Sequence, residues 1–326
     1  MNLKKIQNIP NTPVGKLLNI LRCFNGYSPL CLGVCFAITY KCNLNCEFCH
    51  QVEDKRTTFP DISIEDVETI EKNIREAYTF RPRIHLFGGE PTVNNDFIKI
   101  LEHFSQKGYR ISLTTNGIDI NKYVEKLIRT KGFAEINISL NTLDFEKLLS
   151  VLKLFEGSDN GNRPYINIAC PITNMNQASL IDIVKRFEDS CADCITFQHT
   201  ILTDHYDMKA DINSIKEGVE EIKKAKFKIP VLFFPDIKVK DIKNYYSDPE
   251  FPYNQNKCIA PWIAPFIQPN GDVIPCDELN MVMGNVKEDR LKDIWNNKKY
   301  RKFRDNIQRF GISHPVCKRC CHRSYY

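Results

Sequence analysis

The feature that most limits the fold of this chain is a regular exchange of strand-like and helix-like patterns over its first two thirds. Short runs rich in apolar and β-branched residues fall at Val34 to Thr39, Arg83 to Phe87, Tyr109 to Thr114, Ala134 to Leu140, Tyr165 to Cys170 and Cys194 to His199. Between them, apolar residues recur at helical spacing over Ile64 to Ala77, Asp96 to Lys107, Ile120 to Thr130, Phe145 to Phe155 and Ala178 to Phe187. Alternating strands and helices imply parallel βα units. Six such units predict an α/β fold built on an open, partial (β/α)6 TIM-like barrel over residues 34–240. A helical extension (1–33) precedes it and a small C-terminal domain (241–326) follows. In such barrels chemistry sits at the C-terminal ends of the strands.

Alternation within the strands assigns their two faces. Ile136, Ile138 and Leu140 oppose Asn137, Ser139 and Asn141; Ile111 and Leu113 oppose Ser112, Thr114 and Asn116; Ile166 and Ile168 oppose Asn167; Ile195 and Phe197 oppose Thr196 and Gln198. The apolar parity suits packing under helices. The polar parity predicts a lumen that is a ligand cavity rather than a packed plug, although buried polar residues that simply satisfy one another would read the same way.

Directly after the first strand, the run KCNLNCEFC places Cys42, Cys46 and Cys49 at C-x3-C-x2-C spacing. One short loop with three thiolates suits one iron-sulfur cluster, and a four-iron cluster normally takes four thiolates. Three leave one iron for a ligand from outside the protein. In a chain with 14 cysteines among 326 residues the spacing alone does not decide the matter. A second motif does: the strand at Arg83 to Phe87 ends in Gly88, Gly89, Glu90 and Pro91.

Together, the cysteine triplet with Phe48 just before its last member and the Gly-Gly-Glu-Pro turn resemble the radical S-adenosylmethionine (radical SAM) superfamily, over roughly residues 34 to 200. The resemblance implies that the open iron of a 4Fe-4S cluster is chelated by the amino and carboxylate groups of S-adenosylmethionine. It further implies cofactor contacts at Phe48, Gly88, Gly89, Glu90 and Pro91, with Ser139 and Asn141 placed for the ribose or carboxylate. Glycine suits such a turn because it permits unusual backbone angles and close approach of a ligand to the main chain. Gln198 and His199, near the end of the sixth strand, are candidate substrate contacts, although an isolated histidine is more often a core or surface residue.

The last third carries a second cysteine set, Cys258, Cys276, Cys317 and Cys320, with Cys321 able to replace Cys320. Asn270-Gly271 signals a hairpin between apolar runs, followed by an amphipathic helix carrying Leu291, Ile294, Trp295, Phe303 and Ile307. This layout resembles the SPASM/twitch extension of radical SAM enzymes and implies one auxiliary 4Fe-4S cluster of the shorter, twitch type. Structural zinc is the competing reading of paired cysteines. The remaining cysteines, Cys23, Cys31, Cys35, Cys170, Cys191, Cys194 and Cys321, read as small buried hydrophobes.

A net charge of +5 from 45 basic and 40 acidic residues spread along the chain gives no nucleic-acid surface. The apolar stretch near the N-terminus is too short and interrupted for a signal peptide or a membrane span, so Leu17, Leu18, Ile20 and Leu21 are expected on a packing helix and the protein is expected to be cytoplasmic. The resemblance implies reductive cleavage of S-adenosylmethionine with ferredoxin or flavodoxin as electron donor, and hydrogen abstraction from a small-molecule or peptide substrate. With an auxiliary cluster as acceptor, a net two-electron oxidation is the expected outcome. A redox-neutral epimerase and a ribosomal-peptide maturase are alternatives; the roughly forty residues before Cys42 fall short of the usual leader-recognition domain. A non-catalytic metal-binding scaffold is the alternative from a different class.

Overall fold

The computed structural model describes residues 26–29, 31–49, 58–142, 144–156, 163–199, 209–248, 251, 258–310 and 317. The expected N-terminal helix, Cys23, Cys320 and Cys321 lie outside the described residues.

The chain first runs β1 (Gly33–Thr39), α1 (Ile64–Ala77), β2 (Arg83–Gly88), α2 (Phe97–Gln106), β3 (Ile111–Thr115), α3 (Val124–Arg129), β4 (Phe133–Ser139), α4 (Phe145–Glu156), β5 (Tyr165–Ile172), α5 (Leu180–Phe187), β6 (Cys194–His199), α6 (Ile212–Lys224), β7 (Val231–Phe234) and α7 (Ile242–Ser247). Strands β1 to β7 are parallel and pair in sequence order. The partial barrel therefore has one strand more than the six units read from the sequence. β7, within the apolar tetrapeptide VLFF, shows no alternation and is only four residues long, which is why periodicity passes over it.

The apolar strand parity packs under the helices as expected. Ile136, Ile138, Ile166, Ile168, Ile195 and Phe197 are buried in one continuous core with Val67, Ile70 and Ile74 of α1, Ile100, Leu101 and Phe104 of α2, and Ile183, Val184 and Phe187 of α5. α1 begins where it does because the Ser63 hydroxyl accepts the Asp66 N–H at 3.1 Å.

Past the barrel come a 3-10 turn at Ala260–Trp262, β8 (Phe266–Ile267), β9 (Asp272–Ile274), β10 (Gly284–Asn285), α8 (Leu291–Trp295) and α9 (Lys298–Phe310). β8 and β9 form the hairpin signalled by Asn270-Gly271, and β10 extends it antiparallel. β8 pairs in parallel with β1. One ten-stranded sheet thus runs from the C-terminal strands through β1 to β7. The amphipathic helix expected there is two helices. The Asn297 carbonyl Oδ1 accepts the Tyr300 N–H at 2.8 Å, so Asn297 starts α9 as an N-cap, while Asn296 binds Ser28 N–H and C=O at 2.9 and 2.8 Å.

Candidate active site at the C-terminal ends of the strands

The turn after β2 is fastened to the start of the cysteine loop. Gly89 N–H donates to Thr39 O (2.9 Å) and Glu90 N–H to Lys41 O (2.8 Å). Gly88 has φ +144°, and a Cβ on Gly88 or Gly89 would collide with the carbonyls of Thr39 or of Tyr40 and Lys41. Both glycines are therefore required for approach to the protein's own backbone. The strap is reinforced by Asn94 Nδ2, which donates to Ile38 O (2.7 Å) and Ile62 O (3.1 Å).

Glu90 has no exposed surface. Its Oε1 accepts from Thr92 N (3.1 Å), Thr92 Oγ1 (2.7 Å) and Thr115 Oγ1 (2.8 Å), and its Oε2 accepts from Asn116 N (2.6 Å). The carboxylate ties the end of β2 to the end of β3. Pro91 is buried in the 3-10 turn that follows.

Cys42, Cys46 and Cys49 lie half-buried on the loop that leaves β1. Cys49 N–H donates to Cys46 O at 3.1 Å, and Phe48 packs against the main core. Two donors already address the Cys42 sulfur: Leu44 N–H at 3.4 Å and Asn116 Nδ2 at 3.8 Å. N–H groups directed at sulfur favour the thiolate that an iron-sulfur cluster requires. Among the described residues no three His, Cys, Asp or Glu side chains are drawn into a metal-holding group. The fit of the cluster therefore rests on this donor chemistry and on the loop's place above the lumen.

Below the strap the polar strand parity faces inward and is largely self-satisfied. Thr196 Oγ1 donates to Asn167 Oδ1 (2.8 Å), Asn167 Nδ2 to Asn137 Oδ1 (2.9 Å), Asn137 Nδ2 to Glu135 Oε1 (3.2 Å), and Arg83 pairs with Glu135 Oε2 at 2.7 Å. Arg163 and Asp193 form a two-pronged ion pair at 2.8 and 2.9 Å, and Cys194, Leu232 and Tyr165 pack together at the N-terminal ends of their strands. The lumen thus has a closed, hydrogen-bonded floor, and its open polar groups lie nearer the strap. Ser139 and Asn141 are there, half-buried at the end of β4, with Asn141 N–H on Ser139 O at 2.9 Å. Gln198 shares the lumenal parity.

His199 does not join them. It is fully buried among Phe233, Tyr245 and Tyr246, with Nδ1 2.7 Å from Tyr246 Oη, so it belongs to the outer core, as its odd parity with Ile195 and Phe197 dictates. Burial, then the nearby Lys223 charge, pushes its imidazole down to about 3. The histidine of the lumen is His85, which sequence reading passed over because β2 offers only Arg83 and His85 as polar positions; their shared parity was the available signal. Its Nδ1 lies 2.9 Å from Ser112 Oγ and its Nε2 3.2 Å from Thr114 Oγ1. Enclosure in the lumen, then the charge of Arg83, pushes it down to about 4, so it is neutral at neutral pH.

Cys31 and Cys170 are buried and their thiols are pushed up to about 12 by burial; Cys191 and Cys194 rise to about 11 for the same leading reason. Such thiols are inert. Of the second set, Cys258, Cys276 and Cys317 are half-buried. The scaffold beneath them turns on Arg304, which has no exposed surface. It donates to Pro261 O (2.7 Å), Trp295 O (2.7 Å) and Gly26 O (3.2 Å), and its guanidinium carbon lies 4.1 and 4.2 Å from the ring centres of Trp295 and Tyr300. An arginine one helical turn after Tyr300 on an apolar stripe was the sequence signal for this hub.

The family model of the radical SAM superfamily matches residues 36–169, and that of the SPASM iron-sulfur cluster-binding domain matches residues 258–321. The chain belongs to the radical SAM superfamily. It carries a C-terminal SPASM domain. This radical SAM protein is 36% identical over 121 residues to a probable GTP 3′,8-cyclase of Archaeoglobus fulgidus, a match covering 37% of this chain and 39% of that relative. The match thus spans about two fifths of that curated relative. Streptococcus suis SuiB bound to its precursor peptide SuiA superposes with a TM-score of 0.69 at 18% identity, over 94% of this chain and 74% of that one. The anSMEcpe structure with bound AdoMet and the Cp18Cys peptide gives 0.59 at 18% identity, over 83% and 81%. These two likenesses concern the fold. Among the described residues no helix is long and apolar enough to cross a membrane.

Proposed function

We propose that this radical SAM protein oxidises a substrate by two electrons, with Cys42, Cys46 and Cys49 holding the cluster that binds S-adenosylmethionine, and Cys258, Cys276, Cys317 and Cys320 holding one auxiliary 4Fe-4S cluster. Barrel and auxiliary domain occupy 34–240 and 241–326, and a ferredoxin or flavodoxin supplies the reducing electron. When bound, the first cluster and S-adenosylmethionine supply one-electron C–S cleavage to methionine and a 5′-deoxyadenosyl radical. The chain's own residues do the rest. The Gly88 to Pro91 strap and Phe48 fix the cysteine loop, Ser139 and Asn141 at the end of β4 would face the ribose or carboxylate of the cofactor, and the lumen would hold the substrate C–H bond close under the strap while excluding other hydrogen sources.

A carbon radical that loses an electron must also lose a proton. His85, neutral and bracketed by the Ser112 and Thr114 hydroxyls in the lumen, is placed to relay it, one ring nitrogen accepting as the other donates, so that no lasting imidazolium is formed in a site that disfavours one. The observation that carries this reading is the strap, which welds the two family motifs together above a polar lumen with a closed floor. With reductant, S-adenosylmethionine and a substrate, His85→Gln is expected to keep 5′-deoxyadenosine formation within about threefold while oxidised product falls by about 10²-fold or more. Equal product yields from both proteins would remove His85 from the mechanism. A product of unchanged mass would replace oxidation by epimerisation. Peptide modification, as in a maturase, is the second reading of the substrate class, favoured by fold likeness to SuiB with SuiA bound over 94% of this chain.

A further inference from the structure

The carboxamide of Asn116 has no freedom to turn over. Asp119 is the anchor: its carboxylate only accepts, and it takes Asn43 Nδ2 at 2.8 Å while also holding Lys122. Asn43 must therefore present its Oδ1 to Asn116, whose Nδ2 donates to it at 2.7 Å. From the other side, the Ile118 N–H donates to Asn116 Oδ1 at 3.0 Å. Two independent partners thus fix oxygen and nitrogen the same way round. One hydrogen of Nδ2 goes to Asn43, and the second is left for the Cys42 sulfur 3.8 Å away. The main chain of the same residue is fixed too, since Asn116 N–H donates to the buried Glu90 carboxylate at 2.6 Å.

We infer that Asn116 is a positioning residue for the cluster loop, holding Cys42 in place and, by donating to its sulfur, raising the reduction potential of the cluster bound there. The inference rests on the reading that Cys42, Cys46 and Cys49 hold that cluster. Hydrogen bonds to ligand sulfur disperse the negative charge that reduction adds, so they ease reduction. Asn116 in this way links the strap, through Glu90, to the electron-accepting step. The exposed Asn43 steadies it from the loop side.

The test is an EPR-monitored redox titration of the reconstituted full-length enzyme, following the signal that S-adenosylmethionine perturbs, with any second signal as an internal reference. Asn116→Ala is expected to shift the midpoint of the perturbed signal to a more negative potential, and Asn116→Asp further still, with the second signal unmoved. An unchanged midpoint in Asn116→Ala at full iron content overturns the inference. Should Asn116→Ala fail to retain iron, Asn43→Ala at the exposed end of the network decides: a smaller negative shift supports the inference and an unchanged midpoint overturns it. Failure of the underlying reading looks different, because wild type would then show no signal that responds to S-adenosylmethionine.

Discussion

Glu90 ties the ends of β2 and β3 together through one buried carboxylate. In the fold it is enclosed, and four donors from Thr92, Thr115 and Asn116 occupy its two oxygens. Replacing it by glutamine keeps the size but sets an amide donor against the N–H of either Asn116 or Thr92. Glu90→Gln is expected to lose about 2 kcal/mol or more of stability, read by denaturant unfolding; an unchanged midpoint would mean the network is not buried as described. The lumenal asparagines were legible from alternation alone, because period two survives in β4 whatever the tertiary context. His85 was harder to read, since its only polar partner at period two in β2 is Arg83 at the strand's first position.

At the scale of elements, what the sequence could not show is where strands and helices meet across long separations. The parallel units were readable because each helix follows its strand locally. The pairing of β8 with β1 joins residues more than two hundred positions apart, and no local pattern encodes it. The break between α8 and α9 was encoded, in the Asn296-Asn297 pair, but an unbroken apolar stripe masked it. Arg304 of α9 binds three separate backbone segments. Arg304→Ala leaves their carbonyls without a donor and opens a cavity under Trp295 and Tyr300, so unfolding free energy should fall by about 3–5 kcal/mol; a loss below about 1 kcal/mol would contradict its role as a hub. His199 joins β6 to α7 in a pocket that excludes its charged form. Its folded value is depressed from 6.5 to about 3, so its neutral form contributes fully above pH 6.5 and that contribution is lost as pH falls toward 3. Between pH 7 and pH 5 the wild type should lose about 2 kcal/mol more stability than His199→Gln, which keeps an acceptor for Tyr246. Parallel stability profiles for the two proteins would show that His199 titrates normally.

For the molecule as a whole, one continuous sheet joins the strands of the SPASM region directly to β1, whose end leads into the cysteine loop, and Cys276 follows β9 of the same sheet. Two motifs and a strand period made the superfamily legible, because cluster ligation and close backbone approach tolerate few alternatives. The substrate was not legible, because the lumen spends most of its polar groups on one another. The most direct measurement is anaerobic reconstitution with iron and sulfide, followed by iron counting and 5′-deoxyadenosine detection under dithionite and S-adenosylmethionine, for wild type beside a Cys42/Cys46/Cys49→Ala triple variant. About eight irons in wild type, about four in the variant, and 5′-deoxyadenosine from wild type alone is the predicted result. Four irons in wild type, all lost in the variant, would leave the proposed oxidation without its electron acceptor and contradict the two-cluster account.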